Sequence, residues 1–218
     1  MKITRKSYTK FALTLSVILL LMWILLGAGT SLAWFTDTTP VQKNVFFVGE
    51  LDLEVYHLDE GGKYERVTSE TAIFDDDALY EPGYVQVVRL KICNEGDVPF
   101  DWRLAVGVND FVPAINVFGQ TFNLQDYLKF GVVTADSEDE LDSKLSHRTA
   151  SENIAVCDIP LSTYSTESQQ LDAGGETFVA LIVCMPESVG NVANNNGKGS
   201  PQVELGLVFK ATQQGIPD

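Results

Sequence analysis

Histidine and cysteine are scarce in this chain of 218 residues, which holds two of the first and three of the second. His57 and His147 lie far apart, and neither stands in H-E-x-x-H, the helical spacing that puts two imidazoles on one zinc ion with a glutamate base beside them. The sequence also lacks a G-x-S-x-G nucleophile elbow, so neither a zinc peptidase nor a serine hydrolase is expected, and the reading is non-enzymatic and without cofactor. No C-x-x-C pair is present to form a thiolate zinc site or a redox dithiol, and three cysteines do not make a disulfide-dense scaffold. Cations are few as well: 15 Lys and Arg stand against 30 Asp and Glu, for a formal charge of −15. A protein with so little positive charge does not neutralise phosphates, and nucleic acid is excluded as a partner.

What is present is enough apolar material for a core. Hydrophobic residues make up 45% of the chain and aromatics 10%, which suits one globular domain. The apolar residues are unevenly spread. Lys2, Arg5, Lys6 and Lys10 come first, and no further charge appears until Asp37. Phe11 to Leu26 is the most apolar part, shorter than the roughly 20 residues that span a bilayer and suited to the central region of a signal peptide. Ser31 and Ala33 place small residues at the −3 and −1 positions, so cleavage is expected between Ala33 and Trp34; retention of the segment as an anchor is the alternative. Cleavage removes four cations and no acid, taking the formal charge to −19. Repulsion of that size keeps monomers soluble and makes self-association sensitive to pH, salt and divalent cations.

Beyond the leader the grammar is that of strands. From Phe46 to Val55, Phe47, Gly49, Leu51, Leu53 and Val55 share one parity, with Glu50, Asp52 and Glu54 on the other. Gly61-Gly62 offers a turn and Tyr64 to Val67 a return strand. Glu81-Pro82-Gly83 precedes a strand from Tyr84 to Cys93, in which Val88, Leu90 and Ile92 alternate with Arg89 and Lys91. After Asn94-Glu95-Gly96-Asp97 comes the clearest strand, with Phe100, Trp102, Leu104, Val106 and Val108 on one face. A helical turn is expected at Leu124 to Phe130 with a strand adjoining at Gly131 to Val133. Ser137 to Glu140 is a capping box opening a short helix with Leu141 and Leu145 buried. Ile154 to Cys157 and Phe178 to Cys184 are apolar on both faces, which places the second of them centrally in a sheet. Val203, Leu205, Leu207 and Phe209 form the last strand. The fold expected is all-β: a jelly-roll-like two-sheet sandwich with one or two short inserted helices. The divisions are a signal peptide over 1–33, a mature N-terminal segment over 34–48 and the sandwich over 49–218.

Several of these stretches, taken in order, resemble the TasA/camelysin family of Gram-positive exported biofilm-matrix proteins, processed by the SipW type of signal peptidase. They are Gly27-Ala28-Gly29-Thr30 with Ala33-Trp34-Phe35-Thr36-Asp37, Val48-Gly49-Glu50-Leu51-Asp52-Leu53, the strand from Pro82-Gly83 to Cys93-Asn94-Glu95-Gly96, Leu171-Asp172-Ala173-Gly174-Gly175-Glu176, and Asn194-Asn195-Asn196-Gly197-Lys198-Gly199 leading into the last strand. The resemblance implies a secreted subunit of an extracellular-matrix fibre at the cell surface. It would associate with itself and with other matrix proteins, and meet signal peptidase during export. The mature N-terminal segment, with Trp34, Phe35, Val45, Phe46 and Phe47, would pass into a neighbouring subunit as a donated strand. That segment can also fold back as the first strand of its own sandwich. The alternative function is a membrane- or wall-associated adhesion module acting as a monomer.

Two further sets of residues invite a site. Asp75, Asp77 and Glu81, or Asp136 to Glu140, are carboxylate clusters of the kind calcium favours, but neither follows the D-x-D-x-D-G loop, and solvated acids explain them. Among the cysteines, Gly83 precedes Cys93 by the same spacing with which Gly174 precedes Cys184. That echo of two sheet corners favours a Cys93–Cys184 disulfide, with Cys157–Cys184 as the runner-up.

Overall fold

The computed structural model describes residues 52–69, 71–75, 78–161, 165–195 and 200–213, the backbone of 45–48, and the single helical position Ser16. The chain divides into two units, 1–34 and 35–218, and the fold described is that of the second. No described helix is long and apolar enough to cross a membrane; Phe11 to Leu26, apart from Ser16, lies outside the described residues.

The fold is all-β, a jelly-roll-like sandwich of two sheets. Strands β1 (Val45–Val48), β12 (Gln202–Gln213), β5 (Phe100–Val112) and β10 (Gln169–Leu171) form a four-stranded sheet in that order. The second sheet has six strands: β3 (Tyr64–Arg66), β2 (Leu53–Leu58), β4 (Val85–Asn94), β11 (Glu176–Cys184), β8 (Lys129–Ala135) and β9 (Ile159–Pro160). The chain changes sheet from β1 to β2, from β4 to β5, from β5 past the hairpin to β8, from β9 to β10, and on either side of β11. A small hairpin, β6 (Ala114–Ile115) with β7 (Thr121–Phe122), stands apart from both sheets. Two short helices, α1 (Glu138–Ser146) and α2 (Ala150–Val156), are inserted between β8 and β9.

Alternation decides the inner faces. Phe100, Trp102, Leu104 and Val106 of β5, and Leu207 and Phe209 of β12, are buried on one side, as are Val88, Leu90 and Ile92 of β4 on the other. These rows are the inner faces of the sandwich, and each fully buried Leu or Phe contributes about 2 kcal/mol by leaving water. In β11 every residue from Phe178 to Cys184 is buried. Phe178 and Ala180 pack with Ala135 and with Leu141 of α1, while Ile182 and Cys184 pack with Cys157 at the end of α2. The helices therefore cover the outer face of β11, and the four-stranded sheet covers the inner one.

One glycine permits that cover. A Cβ on Gly131 of β8 would fall onto the carbonyl group of Val156, the last residue of α2; only the missing side chain lets the helix end rest on the sheet.

The first helix starts as expected, with the Ser137 hydroxyl accepting from the Glu140 amide at 3.2 Å, though the Glu140 carboxylate accepts from the Asp136 amide at 3.1 Å instead of that of Ser137. Leu141 is fully buried and Leu145 partly so. Two expectations need correction. Phe46 to Val55 is not one strand: β1 joins the four-stranded sheet and β2 the six-stranded one. Ile154 to Cys157 is not extended but ends α2, which Thr149 and Glu152 open with a reciprocal capping box.

Buried asparagines fasten both ends of β5. At the start, the Asn94 amide donates to the carbonyls of Val98 (2.9 Å), Asp172 (3.0 Å) and Leu171 (3.3 Å), and its oxygen accepts from the Gly96 amide at 3.0 Å. It thereby ties the β4–β5 turn to the β10–β11 turn. Beyond the far end, Asn116 donates to the Val192 carbonyl at 3.0 Å and accepts from the amides of Gln120 (2.9 Å) and Phe118 (3.0 Å), which shapes the β6–β7 hairpin.

Candidate strand-exchange edge

The twelve residues of β12 pair with β5 along their whole length, antiparallel, with one register shift between Glu204 and Leu205. On its other side β12 meets β1, four residues long and parallel, in the register Val45 with Leu207 through Val48 with Lys210. Every other described strand pair is antiparallel. Parallel pairing is slightly weaker per residue, and so short a strand adds few backbone hydrogen bonds to the sheet. Of the proposed donor residues, Val45, Phe46 and Phe47 lie in this strand, while Trp34, Phe35 and the Ala33–Trp34 junction lie outside the described residues.

The remaining sequence candidates are scattered. His57 sits half-buried on β2, where burial pushes its pKa down against the raising effect of Asp59 and Glu65. It lines an open cleft of about 950 Å³ together with Glu65, Arg89 and Leu145. His147 is exposed just after α1, and it is not among the residues lining that cleft. Asp75 and Glu81 are exposed, and Asp77 lies outside the described residues. Asp136 to Glu140 are exposed at the start of α1, where Glu140 pairs with Lys144 at 2.8 Å; this bond, and that from the Asp136 amide, lower the Glu140 pKa. Among the described residues no group of three or more His, Cys, Asp or Glu is placed to hold a metal ion.

The favoured disulfide is corrected by the register. All three cysteines are free thiols. Strands β4 and β11 run antiparallel, with Cys93 opposite Glu176 and Cys184 opposite Val85. The two cysteines thus stand at opposite ends of the pairing, about 27 Å apart at the 3.4 Å rise of an antiparallel strand, beyond any bridge. Two strands built alike from glycine to cysteine bring their cysteines together only if they are parallel. The runner-up pair is the one brought together: Cys157 and Cys184 share a buried cluster with Ile182.

A surface that strand grammar overlooked lies at the far end of β5. Phe118, at the apex of the β6–β7 hairpin, is 63% exposed, and Phe111, Val112, Ile115, Val117 and Val192 are exposed around it. The available signal was charge, for no charged residue occurs from Phe111 to Gln125, between Asp110 and Asp126.

No family model matches the chain, and no curated protein matches it. Among solved structures, the ASH / PapD-like domain 7 of human CEP192 is similar with a TM-score of 0.26 and 13% identity, over 61% of this chain and 75% of that one.

Proposed function

We propose that the chain is an exported, non-enzymatic structural subunit that assembles into extracellular-matrix fibres by exchanging its N-terminal strand between copies. The observation that carries this reading is the parallel, four-residue hold of β1 on the edge of β12. A strand held so lightly at an edge can leave its own sandwich and make the same pairing on the next, a low-cost route to association because no new interface has to be invented. Where such a head-to-tail contact does not close into a ring, repetition gives a filament. Signal peptidase, cutting after Ala33, frees the segment from the membrane. The −19 charge of the mature chain opposes association, so acid or divalent cations favour polymers.

The test is negative-stain electron microscopy with sedimentation on the chain from Trp34, between pH 4 and pH 8, against a variant lacking Trp34 to Val48 and against Phe47→Pro. Filaments in the parent that both changes abolish are expected. Unchanged filaments in the variants, or monomers under every condition, would overturn the reading.

A second reading, a surface-held adhesion module working as a monomer, draws support from the charge-free tip around Phe118. In that case Phe118→Ser lowers adhesion while the Phe47→Pro variant adheres normally.

A further inference from the structure

We propose that Cys157 and Cys184 are a disulfide-forming pair that pins the helix layer to the central strand, and that Cys93 remains a thiol. The geometry starts at Gly131, which stands opposite Ile182 in the pairing of β8 with β11 and has the Val156 carbonyl resting on it. That close approach fixes the end of α2, so Cys157, the next residue, comes down on the outer face of β11. Its sulfur lies 3.5 Å from the Ile182 carbonyl oxygen. Ile182 and Cys184, two positions apart, share that face, and Cys157, Ile182 and Cys184 form one buried cluster walled by Val85, Val133 and Ile154.

The two thiols shift each other's titration: their mutual interaction and then burial raise the Cys157 pKa, while the same interaction lowers that of Cys184 against the effect of burial.

The oxidant is a disulfide, either a small-molecule one or that of a dithiol–disulfide exchange protein. While the chain folds, the Cys157 thiolate attacks the oxidant, forming a mixed disulfide and expelling one thiolate, which takes up a proton. Once α2 docks over Gly131, the Cys184 thiolate attacks the Cys157 sulfur and expels the second thiolate, which is likewise protonated. Two protein thiols and one disulfide become one protein disulfide and two thiols. The bridge closes a loop of roughly 27 residues. It lies in the six-stranded sheet and leaves the β12 edge untouched, so it stands independently of strand exchange.

The full chain, reduced and unfolded, is refolded in a buffer of oxidised and reduced glutathione, unfolded again in iodoacetamide and mapped by mass spectrometry. The expected result is one linked peptide pair joining Cys157 to Cys184, alkylated Cys93, and a melting temperature about 5–10 °C above that of the reduced chain. Cys157→Ala and Cys184→Ala each remove the link and the shift, and Cys93→Ser leaves both. Three alkylated cysteines in the oxidised chain, or a link that includes Cys93, would overturn the proposal. The wild-type map decides the pairing even if an alanine variant fails to fold.

Discussion

Strands β11 and β12 are both rich in apolar residues, yet their surroundings differ on every side. β11 has antiparallel neighbours on both edges, over nine residues with β4 and seven with β8, and is covered on both faces. β12 has one neighbour of full length, and on its far edge β1 spans only four residues. Its outward residues, such as Val208 and Lys210, are partly or fully exposed. The comparison separates two uses of strand grammar. A strand enclosed on all sides holds the domain together, and one with an edge lightly closed is where another chain can add.

The contrast can be tested first with two glycines. Gly131→Val drives a side chain into the Val156 backbone and is expected to cost about 3 kcal/mol or more, whereas Gly107→Ala on the outer side of β5, where the new Cβ stands 3.6 Å from a Val208 methyl group, is expected to shift stability by less than about 0.5 kcal/mol. Urea unfolding measures both, and equal costs would break the comparison. Next, Asn94→Ala strips partners from three carbonyls and an amide at the closed end of the sandwich. A loss of about 2–3 kcal/mol is expected by the same measurement. Thr149→Ala removes the cap of α2 and should cost about 1 kcal/mol, seen as faster hydrogen exchange in α2 and not in β12.

The smallest effect concerns pH. Because burial lowers the His57 pKa below its ordinary value of 6.5, the unfolded chain binds this proton more readily than the folded one. The stability gained from neutral His57 is full above the unfolded pKa and is lost as pH falls through it towards the folded one. Between pH 7.5 and 5.5 the melting temperature of His57→Gln should fall less than that of the parent, by about 1 °C given the solvent screening of a half-exposed group.

Much of this was legible in the residues themselves. The alternation in Val88-Arg89-Leu90-Lys91-Ile92 and in the row from Phe100 to Val106 placed both strands and chose their buried faces. The unbroken apolar run in β11 announced a strand covered on both sides. The identity of its cover could not be read so simply, because α2 is a short helix whose capping box, Thr149-Ser151-Glu152 with Ala150 between, gives way at once to the apolar Ile154 to Val156, ambiguous between helix and strand. The cysteine echo misled because spacing along a chain fixes distance within a strand and carries nothing about the direction of its neighbour. The edge itself could not be read, since Val45 to Val48 are apolar on both parities and nothing in them says which sheet they join.

The parallel direction of β1 and β12 has a mechanical consequence. These strands are the first and last of the described sandwich and lie side by side. A pull that separates the two ends of the domain slides one along the other, so the rungs between Val45 and Val48 and their partners bear the load together. Antiparallel terminal strands would peel apart one rung at a time under the same pull. A short clasp of four residues is thereby loaded in shear, its strongest direction, whenever the domain is stretched end to end.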